Sequence, residues 1–65
     1  MYYYVVDKKT GKAVDFNFKP VEDGKKAVFH SKEDAAYFMD CNTRSTLGAD
    51  KIDAERAKYE FKETE

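Results

Sequence analysis

Apolar and polar residues alternate most cleanly between Lys12 and Lys19, with Val14, Phe16 and Phe18 on one side and Ala13, Asp15, Asn17 and Lys19 on the other. A period of two sets one face against a core and the other in water, which predicts a strand. Tyr2 to Asp7 is also strand-like, being rich in aromatic and β-branched residues that fit a pleated surface. Here both faces are apolar: Tyr2, Tyr4 and Val6 on one, Tyr3 and Val5 on the other. Alternation therefore does not choose the buried face, and one tyrosine row is left exposed or covered by something else. Between the two strands, Asp7-Lys8-Lys9-Thr10-Gly11-Lys12 reads as a hairpin turn. Asp7 can bond the backbone ahead of it, and Gly11 can take the left-handed conformation at the exit.

Pro20 to Lys25 is loop chemistry, and Lys26 to His30 is a third predicted strand. Ser31 then opens a helix as its N-cap. Asp34 stands where a capping-box acid belongs, and Glu33 and Asp34 put negative charge in the first turn. This strand-cap-helix corner organises the predicted fold. Ala35, Phe38, Met39 and Asn42 share one helical stripe, and the helix should end near Arg44, with Gly48 as a stop. From Ala49 onward the pattern supports two readings. One is a short helical turn over 50–55 followed by a strand over 56–62, and the other is a second helix. Thr64-Glu65 reads as tail.

The predicted class is α+β: a small antiparallel-rich sheet with one helix on one face, ordered βββαβ, or βββαα if the last segment is helical. In this arrangement the helix lays Phe38 and Met39 onto Val14, Phe16, Phe18, Val28 and Phe61. Truncating Phe38 to Ala should then cost on the order of 3 kcal/mol or more.

Sixty-five residues make a single domain near the lower limit for a self-sufficient core, so a homodimer or a bound partner is a ready way to bury more surface. The chain is 42% hydrophobic and 38% charged, which implies a small core under a heavily solvated surface rather than disorder. The net charge of −1 is unevenly spread: seven Lys against four acids in 1–32 (+3), and five bases against nine acids in 33–65 (−4). Neither half carries the basic stripe of a dedicated nucleic-acid binder or the acidity of a nucleic-acid mimic. The lone Cys41 permits no intrachain disulfide and fits a reducing cytoplasm. The N-terminal residues lack a basic region and a long apolar run, so neither a signal peptide nor a membrane span is expected.

Candidate chemistry is sparse. His30 has no companion ligands and is expected to be structural, and Cys41, beside Asp40, is expected to be a buried, inert thiol. Asp50, Asp53 and Glu55 form an acidic run without the spacing or turn glycine of a calcium loop. Gly11 and Gly24 open no phosphate-binding loop. No catalytic residue, cofactor or metal is expected, and the chain is not expected to be an enzyme.

The run Tyr3-Tyr4-Val5-Val6-Asp7-Lys8-Lys9-Thr10-Gly11-Lys12, followed by Phe29-His30-Ser31-Lys32-Glu33-Asp34-Ala35, resembles the short accessory proteins of bacteriophages and prophages. That resemblance covers about half the chain. It implies a small protein of the bacterial cytoplasm that binds a host or defence protein, as host-takeover and anti-defence inhibitors do. The residues themselves support two binding surfaces. Tyr2 and Tyr4, together with the acidic Asp50, Asp53, Glu55 and Glu60, suit a protein partner. Tyr2 and Tyr4 with Lys8, Lys9 and Lys12 would instead suit stacked nucleic-acid bases.

Overall fold

The computed structural model describes residues 1–64 and is α+β. Strand β1 spans Tyr2–Asp7, helix α1 Lys32–Thr46, helix α2 Ile52–Arg56 and strand β2 Tyr59–Thr64, with 3-10 turns at Asp23–Lys25 and Ala49–Lys51. β1 and β2 pair antiparallel, from Tyr2 opposite Thr64 to Asp7 opposite Tyr59. The turn-then-strand reading of the C-terminal segment is the one the chain adopts, but the strand begins at Tyr59 rather than at 56, because α2 runs through Arg56. β2 extends through Thr64, which is therefore not tail, and Glu65 lies outside the described residues.

The expected βββαβ order is not formed, because the second and third predicted strands shrink to isolated bridges. These are Val6 with Ala13, Val14 with Pro20, and Tyr3 with Phe29. In the second strand the physical reason is Asp15. Its carboxylate accepts from the backbone N–H of Asn17 at 2.8 Å and of Lys19 at 3.1 Å, folding the chain back in mid-strand. The turn forces Phe18 to φ 60°, a left-handed conformation that costs an aromatic residue roughly 1 kcal/mol or more. Burial of its ring offsets that cost: Phe18 stacks on Phe29 at 6.4 Å and meets the edge of Tyr59 at 6.1 Å. Phe16 is thrown outward by the same turn and is 58% exposed, so it does not share a buried face with Val14 and Phe18.

The short bridges still lie along the free side of β1. Val14 N–H donates to Val5 O, Asp7 N–H to Lys12 O, and Tyr3 and Phe29 exchange both bonds. β1 is thus the central element, with β2 on its other side. The expected hairpin turn is present: Gly11, at φ 73°, donates its N–H to Asp7 O, and Asp7 Oδ1 accepts from Lys9 N–H.

Ser31 Oγ caps α1 by accepting from Asp34 N–H at 3.0 Å. The buried stripe is Ala35, Met39 and Thr43, spaced by four, rather than one containing Phe38 and Asn42. Phe38 is 47% exposed and only leans its ring on Phe29 and Phe16. The core gathers Val5, Val14, Phe18, Ala27, Phe29, Ala35 and Met39, with Tyr59 and Phe61 packed against it. Val28, expected under the helix, is 43% exposed, because Ala27 and Phe29 take the inner side of that segment. α1 runs through Thr46, past the expected end, and Gly48 at φ 114° breaks the chain direction. No described helix is long and apolar enough to cross a membrane.

Candidate functional site

Alternation along β1 sorts its side chains, and the core decides which set is inside. Val5 is fully buried beneath α1, so Tyr3, Val5 and Asp7 form the inner row. Tyr2, Tyr4 and Val6 form the outer row. The pairing register adds Thr64, Lys62 and Glu60 of β2 to that outer face. Across the free side of β1, Phe29 pairs with Tyr3 and points inward, so Val28 and His30 turn outward. α1 packs on the Val5 side of the sheet, away from this outer face.

The rings on the outer face are ordered by their neighbours. Tyr2 is 42% exposed and its ring lies 5.4 Å from that of His30, tilted by 52°. Lys26 Nζ stands 5.3 Å from the centre of the Tyr4 ring, a cation–π distance. Lys26 also pairs with Asp23 at 3.1 Å, and Lys62 stands 4.0 Å from Glu60. Two cations and two carboxylates thus balance around an aromatic and aliphatic centre.

The two residue sets expected from sequence are distributed differently. Tyr2, Tyr4 and Glu60 share the outer sheet face. Asp50 lies in the 3-10 turn before α2, and Asp53 and Glu55 lie on α2, so the four acids do not form one surface. Glu55 is engaged by Lys58 in an ion pair and is largely covered. Lys8, Lys9 and Lys12 sit in the hairpin turn, beyond the end of β1 opposite Tyr2. The length of the strand, ~20 Å, separates that turn from the Tyr2 ring.

Lys26, Val28, His30 and Lys62 are the outer-face residues that sequence reasoning missed. A signal was available: in Lys26-Ala27-Val28-Phe29-His30, the polar residues at 26 and 30 share a parity with Val28. That parity marks the wet face. A second aromatic surface was also missed, where Phe16, Tyr37 and Phe38 form an exposed ridge with successive ring centres 6.2 Å apart.

An open cleft of about 600 Å³ lies at the other end of the sheet, lined by Asp7, Lys8, Lys9, Glu55, Lys58 and Tyr59. Its charges are mixed, and Glu55 and Lys58 already satisfy each other. The Tyr59 hydroxyl donates to Phe18 O at 3.4 Å. Burial pushes that hydroxyl above its ordinary value, and the nearby Glu55 and Asp7 carboxylates raise it further against the opposing pull of Lys58. Among the described residues, no group of three or more His, Cys, Asp or Glu side chains is placed to hold a metal ion. Cys41 is half-buried rather than a core thiol, and His30 is exposed against Tyr2.

No protein-family model, no curated protein and no solved structure matches this chain.

Proposed function

We propose that this protein is a non-enzymatic binding module that docks a protein partner on the outer face of its sheet. The observation that carries this reading is the row Tyr2, Tyr4 and Val6, which faces away from the side of the sheet that α1 covers. Tyrosine supplies contact area at low entropic cost, and such rings are enriched in interface centres. The rim decides the class of partner. Lys26 and Lys62 are matched by Asp23 and Glu60, so a polyanion gains little net attraction, while a protein patch with an apolar centre and a mixed-charge rim fits. In line with the resemblance to phage accessory proteins, the partner proposed is a host or defence protein of the bacterial cytoplasm.

The test is capture from bacterial lysate with the natural chain and with a Tyr2→Ala/Tyr4→Ala variant, followed by binding of the purified partner to isotope-labelled protein. Support requires a partner lost in the variant whose binding shifts the amide signals of Tyr2, Tyr4, Val6, Val28 and His30. A partner held equally by the variant would overturn the reading.

One observation favours a nucleic-acid alternative: Lys26 lies over the Tyr4 ring and Lys62 stands opposite Tyr4, giving cations beside a stacking platform. In this reading the hairpin lysines are replaced by Lys26 and Lys62. Salt-dependent binding of labelled single-stranded RNA or DNA, lost on Lys26→Ala/Lys62→Ala, would select it.

A further inference from the structure

β2 closes the sheet on one side, and its hydrogen-bonding direction can be read from β1. Tyr3, Val5 and Asp7 spend their backbone groups on Phe29, Val14 and Lys12. In an antiparallel ladder the alternate residues then face the other neighbour, so Tyr2, Tyr4 and Val6 bond to Thr64, Lys62 and Glu60. The backbone N–H and C=O groups of Tyr59, Phe61 and Glu63 must therefore point away from β1, along the edge of the sheet. No described strand pairs with that edge.

Exposed edges of this kind are ordinarily blunted by charge. Here the charges alternate in sign, and they are self-complementary. When the strand is set antiparallel to a second copy with Phe61 opposite Phe61, Glu60 faces Lys62 of the second copy and Lys62 faces its Glu60. Tyr59 faces Glu63 of the second copy, a pair with no like charges. All three outward-pointing residues then meet outward-pointing residues, each such pair exchanging two backbone hydrogen bonds. Slipping the register by two residues in one direction opposes Glu60 to Glu60 and Lys58 to Lys62. Slipping it in the other direction opposes Lys62 to Lys62. Like charges directly opposite are destabilising, so one register is selected.

We infer that β2 is a homodimerisation edge, joining two copies of this chain through a two-fold Phe61–Phe61 register into a continuous four-stranded antiparallel sheet. The inference does not rest on the proposed partner surface. The dimer places the two outer faces side by side and does not cover Tyr2 or Tyr4.

Sedimentation equilibrium of the full chain should show concentration-dependent dimer below about 1 mM, the range of a small polar interface. Glu60→Lys or Lys62→Glu alone should weaken the dimer at least about tenfold, because each change creates two like-charge pairs across the two-fold axis. The doubly reversed Glu60→Lys/Lys62→Glu chain should restore it. In a mixture of labelled and unlabelled natural chain, a close contact between the α-protons of Glu60 and Lys62 on different molecules should appear, as expected for that non-hydrogen-bonded pair. This measurement needs no variant and so does not depend on one folding. A monomer throughout that range would overturn the inference, as would a dimer indifferent to both single reversals or one lacking the Glu60–Lys62 contact.

Discussion

Asp40 and Arg56 clasp each other with two prongs: Arg56 Nε donates to Asp40 Oδ1 at 2.9 Å, and Nη2 donates to Oδ2. The pair joins the middle of α1 to the last turn of α2, just before the chain enters β2. The geometry is the planar fork that arginine offers a carboxylate and lysine does not. The neighbouring carboxylate raises the Arg56 guanidinium further above its already high ordinary value. Arg56 is 47% exposed, so solvent screens the pair. Arg56→Lys should cost about 0.5–1 kcal/mol, read as a lower urea midpoint with an unchanged slope.

Met39 and Phe38 should exchange the importance that periodicity alone suggests. Met39 is 1% exposed and lies between Ala35 and Thr43 on the inner stripe. Met39→Ala should cost about 2–5 kcal/mol, enough to unfold much of so small a domain. Phe38→Ala, from a half-exposed site, should cost about 1 kcal/mol, well below the value for a buried phenylalanine. Thermal unfolding of the two variants side by side gives the order.

The Asp15 turn is testable by its acceptor. Asp15→Ala leaves the N–H groups of Asn17 and Lys19 without their present partner and should cost about 1–2 kcal/mol. Asp15→Asn keeps a carbonyl oxygen at the same place and should lose about half as much. Backbone amide exchange at Asn17 and Lys19 should speed up most in the alanine variant.

Alkaline pH should destabilise the fold. The Tyr59 hydroxyl is raised above its ordinary 10.0 chiefly by burial, and the Tyr3 hydroxyl by desolvation and then by Glu63. Lys58 is raised as well, through its hydrogen bond to Glu55. Groups with raised folded-state values keep their protons in the fold after the unfolded chain has released them. Their stabilisation is complete below the ordinary value and falls as pH climbs through the folded one. Urea midpoints should therefore decline above pH 10, more gently in Tyr59→Phe. Tyrosine absorbance should show late-ionising hydroxyls that become ordinary on unfolding.

The Ser31 cap and the Gly11 turn were readable because their causes are local. A hydroxyl before a helix and a glycine at a left-handed exit act over a few residues. The first strand, the start of α1 and the final turn-and-strand segment were legible for the same reason. The middle of the chain was not. Val14, Phe16 and Phe18 alternate as a strand should, but the carboxylate of Asp15 competes with the ladder for its own neighbours' N–H groups. Phe18 then accepts a strained backbone because its ring has Phe29 and Tyr59 to pack on, partners remote in sequence.

The candidate surface divides in the same way. The sequence by itself determined that β1 is apolar on both faces, which leaves one tyrosine row exposed or covered by something else. It also determined the alternating charges of β2. Tertiary structure alone decided that Tyr2 and Tyr4 are the outer row, because Val5 is the side chain that packs with Ala35 and Met39 in the core. It also decided that Lys26, His30 and Lys62, rather than the hairpin lysines, stand beside those rings. Periodicity specifies which residues share a face. Only the packing of a helix from elsewhere in the chain specifies which face goes in.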